Sequence, residues 1–175
     1  MRCHPSSPTV TVRAIDASLH RIGPQLELTF RLLGDIRRIL IPQSKPASIG
    51  SELWRHTCCE VFIAIEGEAR YHEFNFAPSS EWAVYEFEGY RHGAPLTEER
   101  LAPQIAVHCT KDTLDLTASI RLEFMSDAYT VAPLSIGLAA VIEARDGFSY
   151  WALRHPREKP DFHDRGGFAL RLEGA

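Results

Sequence analysis

Polar and apolar positions alternate with period two along most of the chain. Leu26, Leu28, Phe30 and Leu32 alternate with Glu27, Thr29 and Arg31. Cys59, Val61, Ile63 and Ile65 form a second apolar row, and Leu114, Leu116, Ala118 and Ile120 a third. Successive side chains of a strand point to opposite faces, so each row predicts a strand with one face on a core. Residues 71–76 divide the same way, with His72, Phe74 and Phe76 on one face and Tyr71, Glu73 and Asn75 on the other. Residues 136–144 are almost continuously apolar, which predicts a strand buried on both faces. Residues 10–15 read as an opening strand, and 148–153 and 168–172 as closing ones.

Turn residues punctuate these rows. Gly34-Asp35, Glu66-Gly67-Glu68, Pro78-Ser79-Ser80, Gly93-Ala94-Pro95 and Asp146-Gly147 each suit a strand connection. Residues 57–77 therefore predict a hairpin, and 136–153 another. The helix signal is confined to one turn at residues 97–101, with Glu98 and Glu99 early in it. Two long segments lack any period, residues 42–54 and 156–167. Roughly ten short strands with frequent turns predict an all-β sandwich or barrel. There is no internal repeat and no boundary dividing the chain, so residues 1–175 read as one domain, with 1–8 a flexible N-terminus.

Composition narrows the classes. With 175 residues, 45% hydrophobic and 24% charged, the chain is an ordinary globular domain with a real core. A formal charge of −4 and no basic block argue against nucleic acid and against a polybasic membrane anchor. No apolar run approaches a membrane span, and the N-terminal residues lack a secretory h-region. Cys3, Cys58, Cys59 and Cys109 lack zinc spacing, and Cys58 and Cys59 point to opposite faces of one strand. Reduced thiols in a cytoplasmic protein are the expectation.

One stretch carries a family resemblance. Leu53-Trp54-Arg55-His56-Thr57-Cys58-Cys59-Glu60-Val61-Phe62-Ile63 precedes Tyr71-His72-Glu73-Phe74-Asn75-Phe76-Ala77-Pro78-Ser79, and then Glu81-Trp82-Ala83-Val84-Tyr85. Residues 53–88 resemble the core of the DOMON-like superfamily, on the side of the family 9 carbohydrate-binding modules. The resemblance implies a jelly-roll-like antiparallel β-sandwich. In the sugar-binding branch it also implies a slot where tryptophans stack on a pyranose ring and acids and amides bind its hydroxyls. That slot normally has a second tryptophan late in the chain; here Trp151 is late but sits in a strand pattern beside Tyr150.

The residues themselves offer the same chemistry. An indole stacks on the apolar face of a sugar, while carboxylates and amides meet its polar rim. The candidate ligand-binding set is Trp54, Tyr71, Glu73, Asn75, Trp82, Trp151, Arg154 and His155. Trp54 stands at a loop end, either exposed or capping the core. Trp82 alternates with Val84, which favours core packing over stacking. Glu60 faces away from Cys59 and Val61, either to solvent or to Arg55 or Arg70. Glu60 and Glu73 fall on neighbouring strands of one hairpin, with their distance open.

Two other classes stay in view. His155, Asp161 and His163 could assemble an acid–base or metal site in a small enzyme. A sandwich that has lost its ligand and binds a protein is the other. A haem would need a methionine paired with histidine or lysine, and Met125 reads as a packing residue. No loop has calcium spacing, so no cofactor is expected.

Overall fold

The computed structural model describes residues 1–174. Its strands are β1 (Arg2–Cys3), β2 (Val12–Ile22), β3 (Gln25–Gly34), β4 (Ser48–Ile49), β5 (Cys58–Ile65), β6 (Tyr71–Phe76) and β7 (Glu81–Gly89). There follow β8 (His92–Leu96), β9 (Gln104–Cys109), β10 (Thr113–Arg121), β11 (Leu134–Ala144), β12 (Gly147–Ala152) and β13 (Leu170–Leu172). They form a four-stranded sheet in the order β2-β3-β10-β9 and a nine-stranded sheet with the path β1-β12-β11-β5-β6-β7-β4. In the larger sheet β13 also pairs with β11, and β8 with β7. Every pairing is antiparallel except the short β4–β7 contact.

The two sheets enclose one main core, making an antiparallel β-sandwich. The apolar rows supply it: Leu26, Leu28, Phe30 and Leu32 from β3 and Leu114, Leu116, Ala118 and Ile120 from β10 meet Val61, Ile63, Phe74 and Phe76 from the larger sheet. Phe30, Phe74 and Phe76 have no solvent exposure. Burying each such ring contributes roughly 1.5–3 kcal/mol before entropy is counted.

Both expected hairpins form. In the first, β5 pairs with β6 through Cys59↔Phe76, Val61↔Phe74 and Ile63↔His72. Gly67, in its turn, has φ +85°, a conformation that suits glycine. In the second, β11 pairs with β12, and Gly147 has φ +119°. The near-continuous apolar run of β11 is buried on both faces, since a smaller apolar layer covers the outside of the larger sheet.

Two expectations are corrected. The first residues do not hang free: β1 pairs with β12, the Met1 ammonium donates to the Ile15 carbonyl at 2.7 Å, and His4 is buried. Backbone pairing holds this end, a contact no local pattern of two residues announces. The turn near residue 100 is 3-10, at Glu99–Leu101, while the α-helix lies at Asp127–Val131. Five residues are too short to show a 3.6-residue period, so the helix was invisible to patterning.

Candidate functional site

The outer face of the larger sheet carries the residues that alternate with its core row. Phe62, Tyr71 and Phe87 form a second apolar cluster there, and Leu53, Cys58, Ala77 and Ala83 a third. The segment after β12 folds back across this face. Phe168 packs against Phe62 and Tyr71 at ring separations of 5.6 Å, and Arg165 lies 4.6 Å over the Phe168 ring.

A cavity of about 700 Å³ opens between this segment and the sheet. Glu60, Glu73, Tyr85 and Phe87 line it from β5, β6 and β7, and Val141, Phe148 and Tyr150 from β11 and β12. Trp54 and Arg55 stand at one end, on a 3-10 turn, and Arg91, Phe162 and His163 at the other. The buried Leu53 anchors that turn, leaving Trp54 39% exposed with its ring edge-on to Tyr85 at 5.7 Å. The walls therefore join six Trp, Tyr and Phe rings with five charged or polar side chains, Arg55, Glu60, Glu73, Arg91 and His163, a combination that suits a small-molecule site.

Two carboxylates lie within this lining. Glu60 is 2% exposed, and its Oε1 has no hydrogen-bond partner. Glu73 is 4% exposed; its Oε1 accepts from Asn75 Nδ2 at 2.6 Å and its Oε2 lies 3.7 Å from His163 Nε2. Burial, then the neighbouring Glu73 charge, holds the Glu60 carboxyl well above the usual carboxylate range. Burial raises Glu73 to about 7, against smaller opposing effects from the Asn75 hydrogen bond and the Arg91 charge. No Lys or Arg comes within ion-pairing distance of either acid among the described residues. Arg55 pairs with Glu52 at 2.9 Å, and Arg91 with Asp161 at 3.0 Å.

A polar chain fixes the roof. The Tyr71 hydroxyl accepts from the Arg91 N–H at 3.3 Å and lies 2.8 Å from His163 Nδ1. Burial lowers His163 to about 4, so its ring is neutral near pH 7. With the Tyr71 proton donated to Nδ1, His163 carries its own proton on Nε2, the nitrogen facing Glu73. Asp161 accepts from Tyr90 Oη at 2.6 Å and from the His163 backbone N–H at 3.2 Å, tying the roof to the β7–β8 turn.

The candidate residues distribute unevenly over this geometry. Trp54 and Glu73 line the cavity. Tyr71 and Asn75 sit beneath it, wholly buried, and position His163 and Glu73. Trp82 and Trp151 are corrected: at 3% and 5% exposure both belong to the core between the sheets, because each alternates onto the inner face of its strand. Arg154 is exposed and His155 bonds the Arg2 carbonyl at 2.9 Å; neither lines the cavity. Among the described residues no cluster of three His, Cys, Asp or Glu, His155 with Asp161 and His163 included, is placed to hold a metal ion.

Glu60, Tyr85, Phe87, Phe148 and Tyr150 were absent from the candidate set. A signal for the first three existed: Glu60 alternates with Cys59 and Val61, and Tyr85 and Phe87 with Trp82 and Val84, which places them on the face of Glu73 once the hairpin register is known. Phe162 had none, since an irregular segment has no period.

No known family model matches the chain, and no curated protein sequence does. Among solved structures, the fold is similar to that of a candidate carbohydrate-binding protein from Bacteroides uniformis ATCC 8492, with a TM-score of 0.65 and 12% identity over 87% of this chain and 75% of that one. A family 9 carbohydrate-binding module from Caldicellulosiruptor kristjanssonii, in complex with glucose, gives a TM-score of 0.46 at 12% identity, over 84% of this chain and 72% of that one. The same kind of module with cellotriose gives 0.43 at 11%, over 87% and 72%. These last two scores carry no weight, and the first establishes a shared sandwich fold.

Proposed function

We propose that this domain binds a carbohydrate or sugar-derived ligand in the cavity between the outer face of the larger sheet and the segment after β12. The observation that carries the reading is the pairing of aromatic walls with two buried carboxyl groups, one of which, Glu60, has an oxygen without a hydrogen-bond partner. A buried polar oxygen without a hydrogen-bond partner costs about 1–3 kcal/mol, and a ligand hydroxyl, which both donates and accepts, removes that cost at Glu60. The rings of Trp54, Tyr85, Phe148 and Tyr150 present faces and edges suited to the C–H surfaces of a pyranose. The volume suits a mono- or disaccharide.

The resemblance of residues 53–88 to the DOMON-like superfamily, and the fold shared with a candidate carbohydrate-binding protein, agree with this reading at the level of fold. The test is calorimetric titration against monosaccharides and short oligosaccharides, repeated with Trp54→Ala. Saturable heat from a sugar, weakened about tenfold or more in the variant, supports the reading. The absence of heat across the panel overturns it.

A further inference from the structure

We infer that the cavity selects ligands carrying an ammonium group, so that the sugar it takes is an amino sugar with a free amine. This rests on the carbohydrate reading of the same site and names its ligand class. Glu60 and Glu73 occupy diagonal positions on neighbouring strands and both line the cavity. A neutral sugar fills such a site only in part: its hydroxyls bond the free Glu60 oxygen but bring no charge to two acids on one poorly solvated face. An ammonium donates up to three hydrogen bonds and supplies the nearby positive charge that lets the acids ionise beside it.

The protein's own cations fill that role only in part: the Arg91 charge reaches Glu73, yet no Lys or Arg among the described residues pairs with either acid. Arg91 is engaged by Asp161, Arg55 by Glu52, and Arg165 by the Glu68 carbonyl and the Phe168 ring. His163 faces Glu73 as a neutral ring. The surrounding rings add to the case, since the face of an indole or phenol attracts a cation. An oxygen without a hydrogen-bond partner on a carboxyl group that is 2% exposed is a mark of a missing partner, independent of the mere presence of two acids.

The experiment titrates the intact domain at pH 6.5 with glucosamine, glucose and N-acetylglucosamine, and with 1,6-diaminohexane as an amine that is not a sugar. Acetylation keeps the ring and removes the charge. Glucosamine binding about tenfold or more tighter than glucose and N-acetylglucosamine supports the inference, as does collapse of that ratio toward one in Glu60→Gln and in Glu73→Gln. The amides are uncharged and of similar size, and circular dichroism confirms that each variant folds. Equal affinity for glucose and glucosamine overturns the amine preference and leaves the carbohydrate reading standing. Binding of the diamine with none of the sugars overturns the carbohydrate reading and keeps the cation site. No binding by any of the four overturns the amine preference.

Discussion

Glu60 on β5 stands diagonally across the ladder from Glu73 on β6: Glu60 lies opposite Asn75, and Glu73 opposite Phe62. Burial raises the proton affinity of both acids, and the Glu73 charge raises that of Glu60 further. The arrangement costs folding energy at neutral pH, and strain of this kind is retained where a site uses it.

That cost has a pH signature. Glu73 is raised from 4.5 to about 7. A raised acid helps stability fully below its unfolded value and loses that help as pH rises through its folded value, so the loss runs from about pH 4.5 to about 7. Buried His163 and His72, both lowered to about 4, act in the opposite sense: their contribution is lost as pH falls from 6.5 toward 4. Glu73→Gln removes the first limb. Urea unfolding should show the variant more stable than the parent by roughly 1–3 kcal/mol at pH 8, with the difference gone near pH 4. Equal stability of the two proteins at pH 8 would show that the acid is not buried as described.

The three tryptophans should separate by phenotype. Trp82→Ala and Trp151→Ala each empty a space in the main core and should lower stability by about 3–5 kcal/mol. Trp54 is 39% exposed on a turn, so Trp54→Ala should cost about 1 kcal/mol or less while abolishing ligand stacking. Thermal melts of the three variants decide this, and a loss at Trp54 as large as at Trp82 counts against an open cavity.

Removal of one hydroxyl tests the roof. Tyr71→Phe keeps the ring stacked on Phe87 at 4.8 Å but deletes the link to His163 and the Arg91 amide. A stability loss of about 0.5–1.5 kcal/mol is expected. Amide hydrogen exchange should quicken in residues 156–168 while β3 and β10 stay protected. Uniform acceleration across the sandwich would contradict a local role.

Asp161 holds the same roof from the other side. Asp161→Asn weakens the pairing with Arg91 and the hydrogen bond from Tyr90, with Asp161 only 12% exposed. Exchange should quicken at residues 89–93 and 160–163 together, since one carboxylate serves both. Acceleration on one side alone would place the tie elsewhere.

Period-two alternation was enough to place most strands, both hairpins and the two faces of β6, because that period follows from strand geometry alone. It put Phe74 and Phe76 in the core and Tyr71, Glu73 and Asn75 on the opposite face, where they lie. Alternation could not say what covers that opposite face. The segment containing Phe162, His163 and Phe168 does so across a large sequence separation, and it turns an exposed polar strip into a cavity with buried acids. Likewise alternation favours the core for Trp82 but leaves Trp54, at a loop end, either exposed or capping the core. The sheet order sent Trp82 between the sheets and left Trp54 at the cavity mouth, because burial depends on which neighbour packs against a face, and only the tertiary structure supplies that neighbour.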